Sequence, residues 1–309
     1  VTHLLPGPVS RRDSGERVAV IGLGLTAYLA DPTAWAQGGL VTALDELRAL
    51  LPDAPFAHFT TSAMTRWAAL TPEGLDTVRR ALVTRHDPLP VVQHGFSLQL
   101  ADDPGAPTLG FRYTEVDPAR ADRAAVLELT LPPDSDPGLL FQLAMALSHA
   151  GALHALTAGY ALRWNPRWRR EAFNHFHVWS RRVLGVDAGD PEELAWEAPT
   201  SLPGVNWLTL VGRSVARARD LDLVPLVTRA WENAVKTFST PAGLLLRAGD
   251  APTPADLNAL DLPLAYAEVT RALEPLLLTA PKDFWGAFLE GPARTRHWHR
   301  RLLDPEAWS

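Results

Sequence analysis

The chain runs to 309 residues, 47% of them hydrophobic and 21% charged, which excludes wholesale disorder and allows a large buried core. A formal charge of −6 excludes the basic footprint of a protein that coats nucleic acid, and suits a basic protein partner drawn to an acidic surface. The absence of cysteine removes disulfides, thiolate nucleophiles and cysteine-bound zinc, and fits a reducing cytoplasm.

Residues 1–16 hold Pro6, Pro8, Arg11, Arg12, Asp13 and Glu16, without the apolar core of a signal peptide, and read as a flexible segment. No later stretch reaches the roughly 18–20 apolar residues that span a bilayer, so no membrane association is expected. A strand starts at Val18 and extends toward Leu29. Asp31-Pro32 then opens a helix over 33–51, with Leu40, Leu44, Leu47 and Leu51 at helical spacing. Residues 57–69 read as a strand. Thr71-Pro72-Glu73 places a cap, a first-turn proline and an early acid before a helix reaching about residue 85. Strands are predicted over 91–100, 108–115 and 124–131, then a helix over 138–151 capped by the 134–137 turn, then a strand within 152–164.

In the second half, a helix over 166–184 carries Trp168, Ala172, Phe176, Trp179 and Val183 along one stripe. Helical segments follow over 212–218 and around 225–234, a strand over 243–248, a helix over 263–278 and a Trp-rich tail. Consecutive strands without a helix after each one point to an α+β fold, with a mixed, largely antiparallel sheet and packed helices. The domain is expected over 17–303, as one body or as two lobes meeting near 158–165.

Several motifs offer chemistry and meet a stronger structural reading. Gly22-Leu23-Gly24-Leu25-Thr26-Ala27 matches a dinucleotide fingerprint, but Asp31-Pro32 breaks the helix such a motif requires. Its glycines read instead as small residues on one face of a strand. Gly212-Arg213-Ser214-Val215-Ala216 falls one residue short of a nucleophile elbow. Asp250 or Asp256 with His297 or His299 would complete a serine hydrolase in the right chain order, which makes Ser214 the alternative functional reading. His175 with His177, and His297 with His299, lack the convergent third ligand of a zinc site. Arg163, Arg167, Arg169, Arg170, Arg181 and Arg182, interleaved with tryptophan and phenylalanine, resemble a nucleic-acid platform, yet they fit a packed amphipathic helix with acidic neighbours better. No catalytic, cofactor or metal residue is therefore assigned.

Gly159-Tyr160, Trp164-Asn165, the 181–187 segment, Gly204-Val205-Asn206-Trp207-Leu208-Thr209, Arg247-Ala248-Gly249, Asp256 and Tyr266 occur in an order that resembles the type VI secretion immunity family. The likeness is close over about 159–276. Two departures fall at turns, where Ala255 stands in place of glycine and Arg219-Asp220 in place of a glycine pair. The resemblance implies a non-enzymatic immunity protein that binds and occludes a cognate toxin from a neighbouring gene, a nuclease by expectation, in the cytoplasm. It also implies that Tyr160, Asn206, Trp207, Arg247, Asp250 and Asp256 serve the fold rather than contact the toxin.

Overall fold

The computed structural model describes residues 9–52, 56–84, 95–115, 123–132, 134–279 and 283–308. Among them eleven strands form one open sheet in which every neighbouring pair is antiparallel. With helices packed against it, this is the α+β fold expected.

The strands are β1 (Val9–Arg11), β2 (Arg17–Leu29), β3 (His58–Thr61), β4 (Ala68–Ala69), β5 (Ser97–Ala101), β6 (Gly110–Thr114), β7 (Ala125–Leu131), β8 (Leu153–Trp164), β9 (Leu208–Gly212), β10 (Val235–Ser239) and β11 (Gly243–Ala248). Their order is β10-β11-β9-β8-β2-β7-β6-β5-β3-β4, with β1 added alongside β2. Part of the segment expected to be flexible is thus paired with the sheet, and residues 1–8 lie outside the described residues. The stretch 158–165 lies almost wholly in β8, which is bonded to β2 on one side and β9 on the other.

Register divides the central strands into two unlike faces, because residues paired across antiparallel strands project to the same side. Leu23, Leu25, Leu127, Leu129, Phe111 and Tyr113 fall on one face and are buried in the core. Gly22 and Gly24 fall on the other with Thr26, Glu128, Thr130, Arg112 and Arg163. Both glycines are mid-strand, as the parity of the sequence required.

A single helical turn, α1 (Pro32–Ala34), passes through a π-turn at Trp35–Gly39 into α2 (Leu40–Leu50), with Gly38 at a φ of 128° making the kink. Trp35 is buried there and its Nε1 donates to Ala152 O at 3.1 Å, tying the kink to the start of β8. Next comes α3 (Pro72–Thr84), whose cap is Thr71 Oγ1 accepting from Gly74 N at 3.1 Å. The helix α4 (Pro137–Ala150) is capped by Asp136 and packs Leu140, Leu143 and Leu147 against β2, β8 and α2.

Four predicted elements need correction. The strand expected over 57–69 is the hairpin of β3 and β4, because the chain turns after Thr61, where Met64 N donates to Thr61 O at 3.0 Å. Of the strand expected over 91–100, residues 91–94 lie outside the described residues and the strand begins at Ser97. The helix expected over 166–184 is a 3-10 turn at Pro166–Trp168 followed by α5 (Arg169–Trp179). Val183, although in phase with its stripe, is buried through a bridge to Asp256 instead. After α6 (Pro191–Leu194) and α7 (Arg213–Ala218), the helix expected around 225–234 is only α8 (Val224–Thr228). The edge strand β10, unanticipated, follows it. The chain closes with α9 (Leu264–Leu273) and α10 (Pro292–Arg300).

Candidate functional site

The polar face of the sheet is the floor of a cleft of about 370 Å³. Its walls come from the β3–β4 hairpin, the β5–β6 loop, the turn after β8 and the start of α6. Glu128 sits at the centre of the floor, 3.2 Å from Arg112 Nη1 and 3.5 Å from Arg163 Nη1. Arg163 is only 9% exposed, and its Nε donates to Thr130 Oγ1 at 3.2 Å. Gly24 makes this possible: a Cβ there would stand 2.8 Å from Arg163 Nη2. Arg112 also bonds Glu192 at the rim. Burial works against the Arg112 charge, but Glu128, Glu192 and Asp190 outweigh it and hold its pKa above the ordinary arginine value. Asp190 caps α6 through Glu192 N at 3.1 Å and faces Arg169 Nη1 at 3.5 Å. Burial nevertheless raises its pKa, with Glu192 and Glu128 adding to the effect.

The residues singled out from the family pattern fall in two groups. Asn206 ties β8 to the start of β9: its Nδ2 donates to Tyr160 O at 3.1 Å, its Oδ1 accepts from Trp207 N at 2.8 Å, and its N donates to Thr209 Oγ1 at 3.1 Å. Gly159 has a φ of 155°, and a Cβ there would collide with Asn206 Oδ1. Trp207 is buried, and its Nε1 donates to Gly249 O at 3.2 Å. Arg247 stacks over Phe141 with its guanidinium carbon 5.4 Å from the ring centroid, while Asp250 meets Arg247 at 3.5 Å and Lys236 at 3.2 Å. Apart from these, buried Asp256 receives Arg182 Nε at 2.6 Å and caps the turn that follows through Asn258 N at 3.0 Å. Asn206, Trp207, Arg247, Asp250 and Asp256 therefore have side-chain polar groups engaged within the fold, and Tyr160 packs partly buried against the core. The two departures from the family pattern are strained: Ala255 and Asp220 hold φ values of 53° and 52°, where glycine is at ease.

Ser214 does follow a strand and begin a helix, as an elbow requires. Its partner is none of those expected. His154 Nδ1 lies 2.8 Å from Ser214 Oγ, and burial lowers the pKa of this histidine to about 4. Asp250 and Asp256 are committed to their arginines, His297 stacks on Trp308 at 3.8 Å, and His299 lies against Phe284. His154 was missed because it lies far from Ser214 in sequence and belongs to no motif. His175 stacks on Trp179 and His177 meets the Phe288 ring edge-on. Among the described residues no cluster of three or more His, Cys, Asp or Glu is placed to hold a metal ion. The arginine run is dispersed: Arg163 lies in the sheet floor, Arg169 faces Asp190, and Arg182 holds Asp256.

Residues 40–302 match the family model described as TsiV, type VI immunity for VRR-NUC. The chain belongs to this family. TsiV proteins are type VI immunity proteins, so the expectation raised by the ordered motifs holds, and it extends to a nuclease class of toxin. A solved structure described as "Pseudomonas aeruginosa T6SS protein PA0821" shares the fold, with a TM-score of 0.78 at 19% identity, over 99% of this chain and 90% of that one. No curated protein matches the chain. No helix among the described residues of this TsiV protein is long and apolar enough to cross a membrane.

Proposed function

We propose that this TsiV protein neutralises one VRR-NUC nuclease toxin by binding it stoichiometrically and covering its active site, without catalysis of its own. The family match across 40–302, which runs from α2 through the whole second half of the sheet, is the observation that supports this reading. The toxin is encoded beside this chain's gene and carries a net positive charge, so the −6 charge of the inhibitor speeds their encounter. Neutralisation takes place in the cytoplasm, where an escaped nuclease would reach the chromosome, and involves neither membrane nor direct nucleic-acid contact. Covering an active site takes an interface of about 800 Å² on each partner.

Co-expression tests this. Cells producing the neighbouring VRR-NUC domain survive when this chain is present, and the two proteins elute as one complex. Cell death at equal expression, with no complex, rejects the reading.

A further inference from the structure

The cleft over the polar face of the sheet is lined by four arginines and four carboxylates, which are not all paired with one another. Each of its four carboxylates is held: Glu128 by Arg112 and Arg163, Glu192 by Arg112, Asp190 by Arg169, and Asp103 by Arg17 at 3.6 Å. The groups left over are of the opposite kind. Arg167 stands exposed at the rim, and among the described residues no carboxylate pairs with its guanidinium and the side chains of Gln99 and Thr60 in the cleft have no hydrogen-bond partner. Trp67 and Trp164 supply flat walls.

The unpaired charge at the rim is that of Arg167, within a lining whose charges cancel in sum. The free groups are mainly donors, and they sit above a floor already locked by ion pairs. Such a floor is rigid, because moving Arg112 and Arg163 away would strand Glu128 as a buried, unpaired carboxylate. A preformed cavity of about 370 Å³ admits one side chain with its flanking backbone.

We infer that the cleft receives an acidic side chain, Asp or Glu, presented on a loop of the nuclease toxin, with Arg167 pairing with the carboxylate and Gln99 and Thr60 bonding the adjacent peptide groups. This rests on the neutralisation reading and adds the place where the toxin is gripped. Trp67 and Trp164 would pack against the inserted side chain, while Arg167 at the exposed rim steers its carboxylate into place.

Calorimetric titration of the neighbouring VRR-NUC domain into the full chain tests it. Arg167→Glu and Trp67→Ala each weaken binding by about tenfold or more, Arg167→Lys retains part of the affinity, and Arg217→Glu, on the exposed face of α7, binds as the wild type does. Thermal melts verify that each variant folds. If Arg167→Glu and Trp67→Ala are both folded and bind at wild-type affinity, the cleft is not the grip, while neutralisation stands. If the wild-type chain itself forms no complex, the neutralisation reading falls and this inference with it. A parallel titration with adenosine monophosphate separates the other anion source: binding that Arg167→Glu abolishes, with toxin affinity unchanged, assigns the cleft to a phosphate and overturns the toxin assignment.

Discussion

His154 on β8 and Ser214 on α7 share a 2.8 Å hydrogen bond across 60 residues of sequence. A general base needs a pKa near the working pH, and burial has taken this imidazole to about 4. Among the described residues no carboxylate bonds its second nitrogen, so nothing orients it for proton transfer. The pair is a latch between strand and helix. A fluorophosphonate probe is expected to leave the protein unlabelled, and Ser214→Ala to lose about 1 kcal/mol of stability while still protecting cells. Labelling that Ser214→Ala removes would restore the hydrolase reading.

Two half-buried histidines make the fold acid-sensitive. Burial lowers His154 to about 4; burial and then the Arg301 charge lower His299 to about 3. Both values lie below the unfolded histidine, so the unfolded chain binds more protons and stability is lost as pH falls below about 6.5. Each histidine accounts for roughly 1–2 kcal/mol between pH 6.5 and 5. Urea midpoints at the two pH values measure the loss, and His299→Phe should flatten the slope. An unchanged slope in that variant removes His299 from the account.

Gly159 and Trp207 hold the junction of β8, β9 and β11. Gly159→Ala drives a methyl group into Asn206 Oδ1 and breaks the bond that this side chain makes to Trp207 N. A loss of about 2–3 kcal/mol follows from overpacking and the severed bond. Trp207→Ala leaves a cavity and loses about 3–5 kcal/mol. Denaturant titration reads both; a Gly159→Ala midpoint equal to wild type contradicts the clash.

Asp220 offers the opposite experiment. It is exposed at a φ of 52°, with a glycine expected at this place in the family pattern. Asp220→Gly relieves about 1–2 kcal/mol of left-handed strain and gives back part of it as added freedom of the unfolded chain, for a net gain of about 0.5 kcal/mol. Ala255→Gly gains less, because its methyl group is fully buried. Melting temperatures decide, and a clear drop for Asp220→Gly refutes the strain argument.

The periodicity of single elements was legible in the sequence, and so was the family. Gly22 and Gly24 read correctly because Asp31-Pro32 forbids a long helix and alternation places both on one face. Elements failed where the deciding contact is distant. The 166–184 stripe runs on to Val183, and only the bridge to Asp256 shows that the helix has already stopped. Lys236 and Thr237 gave β10 no strong strand pattern of its own; β11 supplies the partner that makes it one. Arg163 looked like the first member of a basic run. Pairing with Glu128 and Thr130, contributed by another strand, turns it into the floor of a cleft that no local pattern announces.

The two ends of the open sheet also bear on how this chain coexists with copies of itself. An exposed strand with free amides and carbonyls is a template for endless intermolecular pairing. Here one end is β4, two residues long and too short to recruit a neighbour. The other is β10, where Lys236, drawn to Asp250, places a charge in the path of any incoming strand. The chain contains only two lysines, and one of them guards against polymerisation.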